Sequence, residues 1–505
     1  MQNFAAMALA ATKDLITYTE TLLFISAYPC EALQYSLAQK ELKRIAAFLK
    51  RNKNTTANSF HNSGMPFTPT ITRFSHDGVR WLLSNPQCKT SLNAFIEPSL
   101  ALNDVLKLTL PSLEKSETTV GLSNFELMDI LRVSKQDRLR FIIQELSKLD
   151  DHPYIKDHLF DSLDLYVQVD PKTALFSKAF NQLPGIKTFF HKELLKKFDS
   201  PELLNSPLPA PVTYGPAEKA KVITVIKNAM ALTARETDPT TYMDENSLRL
   251  YHLDRGISIA IYSMLPSRQL PLESYIGYTA FKNGYPAAYG GAWVFGERSN
   301  FGINIFESFR NGESGYMMMQ LLRVYRHEFK ISYFEVEPFQ FGLDNPDGIE
   351  SGAYWFYYRF GFRSLSNSLR QLAEKEMIKI RSTSGYRTSA RTLLKFTDSS
   401  VALQLGSTIP PKVVDITIRV TKLIQRRYQG DRLRAEEDCR LKFTSRTKTS
   451  TELNIAENQV LTEVSLWAEA MQQKDPQKLS LLSRMISAKP YDVFTYQVLL
   501  INYFS

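Results

Sequence analysis

The central fold of this chain is decided by the stretch Glu273-Ser-Tyr-Ile-Gly-Tyr-Thr-Ala-Phe-Lys-Asn283-Gly284-Tyr-Pro-Ala287-Ala-Tyr-Gly-Gly-Ala-Trp-Val-Phe295. Asn283-Gly284 stands between two apolar and aromatic runs. This is the strongest short-range hairpin signal, because a type I′ turn needs a positive φ at both of its central residues. The stretch therefore predicts two antiparallel strands joined by a tight turn.

The neighbouring segments extend this hairpin into a larger sheet. Residues 258–265 are a strand candidate before it, and residues 301–309 are one after it. A helix is predicted at 313–329, followed by a fifth strand at 331–338 that ends at a proline. Because strand, helix, strand implies a right-handed crossover, strands four and five should be parallel and adjacent. The predicted fold class is mixed α/β, with a mainly antiparallel sheet and helices.

The length of 505 residues predicts roughly three domains. Four prolines in residues 206–216 fix φ and remove amide donors, so this segment predicts a linker. Apolar residues at helical spacing predict all-α regions on both sides of the sheet. We therefore expect an α-helical N-terminal region (1–206), an α/β domain (217–400) and an α-helical C-terminal region (401–505).

Composition places the chain among globular proteins, since 44% of the residues are apolar and 22% are charged. This excludes a mainly disordered, collagen-like or membrane-embedded chain. Three scattered cysteines without a CxxC pair, and no signal-peptide pattern at the N-terminus, predict a cytoplasmic protein. The histidines lack the spacing of metal ligands, so we expect no metal site. A net charge of +9 over the whole chain is weak support for nucleic-acid binding.

Two segments carry a functional signal. The first is Glu307-Ser-Phe-Arg310-Asn-Gly312-Glu313-Ser-Gly315-Tyr, at the join between strand four and its helix. The second is Glu350-Ser-Gly-Ala353-Tyr-Trp-Phe-Tyr357-Tyr-Arg-Phe-Gly361-Phe362. With the order of elements around them, they resemble the GNAT-type N-acyltransferase superfamily, which uses acetyl-CoA. Its members carry Q/R-x-x-G-x-G/A and N-x-x-A-x-x-x-Y-x-x-x-G-F at these two places.

The resemblance implies that backbone N–H groups in the first segment hold the pyrophosphate of acyl-CoA at a helix N-terminus. Glu313 departs from the pattern, because it stands where glycine is usual and Gly312 lies one residue early. A carboxylate there opposes a phosphate unless it points away, and an ordinary strand–helix turn explains the segment equally well. The cofactor-binding residues implied are Phe306, Ser308, Arg310, Asn311, Gly312, Ser314, Gly315, Tyr316 and Asn345.

The resemblance also implies a catalytic tyrosine that protonates the leaving thiolate. Tyr357 matches the pattern, and Tyr358 replaces it if the register slips by one; a purely structural aromatic helix is the alternative. Deprotonating an amine needs a base, for which Glu307, Glu335 and Glu337 are the candidates.

The implied function is transfer of an acetyl or longer acyl group from acyl-CoA to an amine by direct attack. The acceptor, a small molecule or a protein, is not identified by the sequence. One alternative is a catalytically inactive binding or scaffolding protein with this fold, which Glu313 favours. Others are an aminoacyl-tRNA-dependent transferase, in which the basic helices bind the tRNA, and a helical interaction protein.

Overall fold

The computed structural model describes residues 8–53, 59–119, 121–449 and 452–505. Its N-terminal region combines helices with a small sheet. The elements are α1 (Lys13–Ala27), α2 (Ala32–Arg51), β1 (Thr70–Thr72), α3 (His76–Ser84), β2 (Cys88–Phe95), α4 (Leu102–Leu106), α5 (Asn124–Ile130), α6 (Arg138–Ser147), α7 (Pro153–Ser162), β3 (Leu165–Pro171) and α8 (Ser200–Asn205).

The prediction of an all-α N-terminal region is wrong, because β3 pairs antiparallel with both β1 and β2. The signal was present in Leu165-Tyr-Val-Gln-Val-Asp-Pro171, where buried and half-buried residues alternate along β3. Alternation with a period of two is the signature of a strand that packs one face on a core.

A second, larger sheet forms the centre of the molecule. Its region contains α9 (Pro216–Leu232), α10 (Asp238–Thr241), β4 (Arg249–His252), β5 (Ile257–Tyr262), β6 (Ser274–Lys282), β7 (Tyr285–Phe295), β8 (Arg298–Phe301), β9 (Asn304–Ile305), α11 (Ser314–Phe329), β10 (Tyr333–Val336), α12 (Pro346–Glu350), α13 (Ala353–Arg359), β11 (Arg363–Ser364), α14 (Asn367–Ser382), α15 (Ala390–Phe396) and β12 (Val401–Gln404). The strand order is β11-β12-β10-β8-β7-β6-β5-β4, and β9 pairs with β7. The mixed α/β class is therefore as predicted.

The hairpin of β6 and β7 has the predicted turn. Lys282 pairs with Tyr285, and between them Asn283 and Gly284 have φ values of 46° and 83°. Both values are positive, as a type I′ turn requires.

The predicted fourth strand at 301–309 is wrong in its bounds. β8 ends at Phe301, β9 covers only two residues, and Glu307–Phe309 forms a 3₁₀ turn. The break comes at Gly302 and Ile303. The Gly302 amide still bonds to the Gly291 carbonyl of β7, but the Gly302 carbonyl accepts from the Tyr278 hydroxyl and the Ile303 amide donates to the Gln340 side chain. A strand cannot continue where the ladder partners are replaced by side chains.

The crossover after β8 follows the prediction. Helix α11 leads to β10, which pairs in parallel with β8 over Arg298–Asn300 and Tyr333–Glu335. This is the parallel pair of the central sheet, and its other pairings in the described residues are antiparallel. Most of α11 is buried, including Met317, Met318 and Met319.

The predicted α-helical C-terminal region (401–505) begins too early, because Val401–Gln404 forms β12, which lies between β10 and β11 and completes the central sheet. The elements after β12 are helices. These helices pack around the buried Trp467, which also contacts Phe295 of β7. They are α16 (Val413–Tyr428), α17 (Arg432–Thr447), α18 (Ile455–Ala470), α19 (Pro476–Tyr491) and α20 (Val493–Phe504).

The largest apolar core joins α1 and α2 to the central sheet, with Leu22 and Leu42 in the same cluster as Ile259 and Met318. Residues 206–216 hold no helix or strand up to Pro216, the first residue of α9. The domain boundary there stays a prediction, since the core draws residues from both sides of it. None of the helices in the described ranges combines the length and apolarity needed to cross a bilayer.

Candidate functional site

The two segments that carried the functional signal lie against each other. Gly315, in the first turn of α11, faces the ring of Phe360 at the end of α13, and a methyl group on this glycine would clash with that ring. Gly361 then ends the α13 segment with a φ of 92°. A glycine in the left-handed conformation is a common end of a helix. The first turn of α11 and the helix of Tyr357 form one candidate site.

The N-terminus of α11 supplies backbone donors to this site. The first intrahelical bond runs from the amide of Met317 to the carbonyl of Glu313. The amides of Ser314, Gly315 and Tyr316 precede that bond, and such first-turn amides attract anions together with the helix dipole. The two amides before them are used within the protein, by the Phe309 carbonyl for Gly312 and by the Tyr28 hydroxyl for Glu313.

Glu313 turns its side chain into the protein and not toward the first turn. Its carboxylate accepts hydrogen bonds from Lys282 Nζ at 2.6 Å, Arg255 Nε at 2.9 Å and the Leu195 amide at 2.8 Å. Burial would raise the pKa of Glu313, but Arg255 and Lys282 outweigh burial and hold the pKa at about 2. One carboxylate thus faces two cations, so the charge of Glu313 does not oppose an anion at α11.

A neutral histidine completes this charged cluster. His191 Nε2 lies 3.7 Å from Glu313 Oε2, and the His191 side chain is almost fully buried. Burial, with the positive charge of Lys282, lowers the pKa of His191 to about 4. The cluster of Lys282, Arg255, Glu313 and His191 therefore carries a net positive charge at neutral pH.

The sequence did not predict any partner of Glu313. Lys282 and Arg255 lie in and beside the hairpin strands, and His191 and Leu195 belong to residues 186–199, which contain no helix or strand. We name residues 186–199 the strap. Lys196 of the strap donates to the carbonyls of Gly312 at 2.6 Å and Asn311 at 3.1 Å. No motif marks these residues, because their contacts exist only after folding.

Most of the remaining predicted cofactor residues lie on or beside the loop that precedes α11 (residues 307–313). Arg310 and Asn311 are exposed, Ser308 is half-buried, and Ser314 caps the Arg310 carbonyl at 2.9 Å. The others serve packing or local structure: Phe306 stacks on Tyr289, Tyr316 accepts a hydrogen bond from Gln320, and Asn345 bonds to the Phe339 carbonyl at the start of α12.

We name the place where β8 and β10 stop pairing, beyond Asn300 and Glu335, the gap. There the side chain of Gln340 bridges the two segments. Its Oε1 accepts from the Ile303 amide at 3.2 Å and from the Tyr357 hydroxyl at 3.5 Å. Gln340 was not predicted, yet it connects the segment after β8 to the tyrosine.

Tyr357 is buried below this gap among aromatic rings. The rings of Phe301, Phe341 and Phe362 lie 6.4, 6.4 and 5.6 Å from its own. Burial raises the pKa of Tyr357, so its hydroxyl keeps its proton at neutral pH. Tyr358, the alternative, is half-buried with the Arg363 guanidinium 3.8 Å from its ring.

The three candidate bases have different surroundings. Glu335 is buried and paired with Arg298, and Lys412 lies 3.5 Å from its other oxygen. Glu337 is exposed at the end of β10 and accepts a 2.6 Å hydrogen bond from Asn300. Glu307 is exposed on the 3₁₀ turn after β9. Glu337 thus combines access to solvent with a place at the gap.

No family model matches this chain, and no curated protein or solved structure matches it either. Functional inference therefore depends on its own residues and geometry.

Proposed function

We propose that this chain transfers an acyl group from acyl-CoA to an amine. The observation that carries the proposal is the contact of Gly315 with Phe360, which places the first-turn amides of α11 beside the helix of Tyr357. The element order also supports it, since a meander (β5, β6, β7) precedes β8, α11, the parallel strand β10 and α13. These are the elements that the resemblance implies, in the same order.

The charge around α11 suits a phosphate. Glu313 is outnumbered by Lys282 and Arg255, the helix dipole adds positive potential, and Arg310 stands exposed at the loop. In this proposal the amides of Ser314, Gly315 and Tyr316, with Arg310, hold the pyrophosphate of the cosubstrate.

The residues at the gap have complementary roles in the proposal. Glu337, or Glu307 in its place, accepts a proton from the acceptor ammonium, directly or through water. The freed amine forms the new C–N bond at the thioester carbonyl. The C–S bond breaks, and the thiolate takes the proton of the Tyr357 hydroxyl. The second proton of the attacking nitrogen, released as the neutral amide forms, returns to the Tyr357 phenolate directly or through water. Glu335 is the weaker candidate base, because Arg298 and Lys412 occupy its oxygens.

A second candidate is a binding module without catalysis. Tyr28 lies against Gly312, and Phe198 of the strap lies on Tyr316 and Phe360. Both rings cover backbone that a phosphate would approach. In this candidate, Tyr28 and Phe198 of the same chain occupy the surface that the cosubstrate would otherwise use.

Calorimetry with acetyl-CoA, desulfo-CoA and tRNA separates these candidates. The acyltransferase proposal expects saturable binding of both CoA compounds, and it fails if neither binds up to millimolar concentration. Binding of tRNA without CoA would instead support the aminoacyl-tRNA-dependent alternative.

A variant pair then tests the catalytic tyrosine. Tyr357→Phe is expected to lower kcat by about 100-fold with little change in CoA affinity. Tyr354→Phe is the matched control, because Tyr354 is buried in the same helix and its hydroxyl has no hydrogen-bond partner in the described residues. Equal turnover by the two variants would remove Tyr357 from its role.

A further inference from the structure

The strap lies across the start of α11, and its first half is firmly held. Phe189 exchanges two hydrogen bonds with the side chain of Asn283, at 2.8 and 2.9 Å. The amide of His191 donates to the Pro29 carbonyl at 2.7 Å, and the imidazole is buried. Arg255 donates to the Glu193 carbonyl at 2.8 Å. These contacts fix residues 189–193 to the hairpin turn and to the end of α1.

The second half of the strap is held by side chains that surround the loop. The Leu195 amide bonds to Glu313, and the Lys196 ammonium bonds to the carbonyls of Asn311 and Gly312. Lys196 and Lys197 are exposed, whereas the Leu195 amide bonds to a carboxylate that is fully buried. Hydrogen bonds near solvent can be exchanged for bonds to water or to a ligand at low net cost.

Phe198 covers the first turn of α11. Its ring meets that of Tyr316 edge-on at 5.1 Å and stacks on that of Phe360 at 5.7 Å. Phe360 in turn touches Gly315, so the three rings cluster beside the first turn of α11, whose amides the proposed function assigns to phosphate. An apolar ring offers no acceptor to those amides, whereas a phosphate offers several.

The ammonium of Lys196 lies where the surrounding charges give it little electrostatic stabilisation. The N-terminus of a 16-residue helix is its positive end, which disfavours a lysine unless an anion lies between them. In the structure the ammonium is satisfied by two loop carbonyls. A phosphate at the first turn of α11 would be a stronger partner, because a charge-assisted bond exceeds a bond to a neutral carbonyl.

We propose that the strap is the gate of the acyl-CoA site: Phe198 excludes the cosubstrate, and Lys196 binds its phosphate once Phe198 withdraws. The inference rests on the proposed function and adds two residues to it. Residues 189–195 stay anchored, since the Leu195 amide bonds to the buried Glu313 carboxylate, and the movement is confined to 196–199, between that anchor and α8.

The gate is tested by two substitutions in the strap that should change the affinity for desulfo-CoA in opposite directions. Calorimetry with desulfo-CoA is expected to show about fivefold tighter binding for Phe198→Ala and about tenfold weaker binding for Lys196→Met. Phe190→Ala and Lys197→Met are the matched controls, since both side chains are exposed on the same strap. Each control should stay within about twofold of the wild type.

The outcomes separate the gate from the proposed function. If neither the wild type nor Phe198→Ala binds desulfo-CoA, the proposed function fails and the gate with it. If the wild type binds and Phe198→Ala and Lys196→Met bind equally well, the gate is overturned while the proposed function stands. Phe198→Leu keeps apolar packing and replaces the alanine variant if that variant does not fold. Its affinity should also rise, and an unchanged value overturns the gate.

Discussion

The ammonium of Lys282 donates a 2.6 Å hydrogen bond to the carboxylate of Glu313, and neither side chain is exposed to solvent. Lys282 ends β6 and Glu313 precedes α11, so the pair ties the hairpin to the crossover helix. Charges removed from water need close partners, and Arg255 with the Leu195 amide satisfies the second oxygen of Glu313. The pair thereby sets the position of the loop before α11.

The two members of this pair should be coupled in their effect on the stability of the fold. Glu313→Leu leaves the ammonium of Lys282 buried without its carboxylate, so we expect a loss of about 3–5 kcal/mol in the free energy of unfolding. Lys282→Met should cost less, because Arg255 still pairs with Glu313. In urea denaturation, the double variant should lose less than the sum of the two single losses. Strict additivity would show that the pair is not energetically coupled.

The stability should fall with acid through His191. Its folded pKa of about 4 lies below the ordinary value of 6.5. The unfolded chain therefore takes up this proton at a higher pH than the fold does. The His191 contribution is complete above pH 6.5 and is lost as the pH falls toward 4, by on the order of 2–3 kcal/mol. Glu313 and the cations Lys282 and Arg255 face this ring, and Glu313 titrates at lower pH.

Denaturation curves between pH 4 and 7 measure this dependence. His191→Phe should flatten the curve over that range, whereas His152→Phe, at an exposed position, should leave it as in the wild type. A slope unchanged in His191→Phe would contradict the assignment.

The side chain of Asn283 should stabilise the strap as well as the hairpin turn. Its side chain bonds to the carbonyls of Ala27 and Phe189 and to the Phe189 amide. Asn283→Gly keeps the positive φ but removes these bonds, so we expect a loss of about 2–3 kcal/mol and faster hydrogen exchange in 186–193. A loss below about 0.5 kcal/mol would mean that only the backbone of the turn matters.

Substituting Glu337, at the end of β10, should lower turnover, whereas substituting Glu335, within β10, should lower stability. Glu337→Gln is expected to lower kcat/KM by about 100-fold and to alter the pH profile, with little change in stability. Glu335→Gln should destabilise the chain, because it leaves Arg298 without its buried partner. Measuring turnover and urea midpoints of both variants tests this, and the reverse pattern would reassign the base to Glu335.

The hairpin and the crossover could be read from the sequence because both depend on local signals. Asn283-Gly284 encodes its own backbone conformation, and the proline at 338 follows a short apolar run. The strand predicted at 301–309 failed for a physical reason, since it ends where the Gly302 carbonyl bonds to the Tyr278 hydroxyl and the Ile303 amide bonds to the Gln340 side chain. Side-chain partners distant in sequence leave no periodic pattern.

The candidate site divides in the same way. The sequence by itself determined the α11 segment, the aromatic helix with Tyr357 and the left-handed Gly361, because glycine placement and helical periodicity are local properties. Only the tertiary structure decided that Glu313 pairs with Lys282, that Phe198 covers the first turn, and that Gln340 meets Tyr357. Those contacts join residues from separate elements, and burial of charge and of aromatic surface selects them only when the chain is folded.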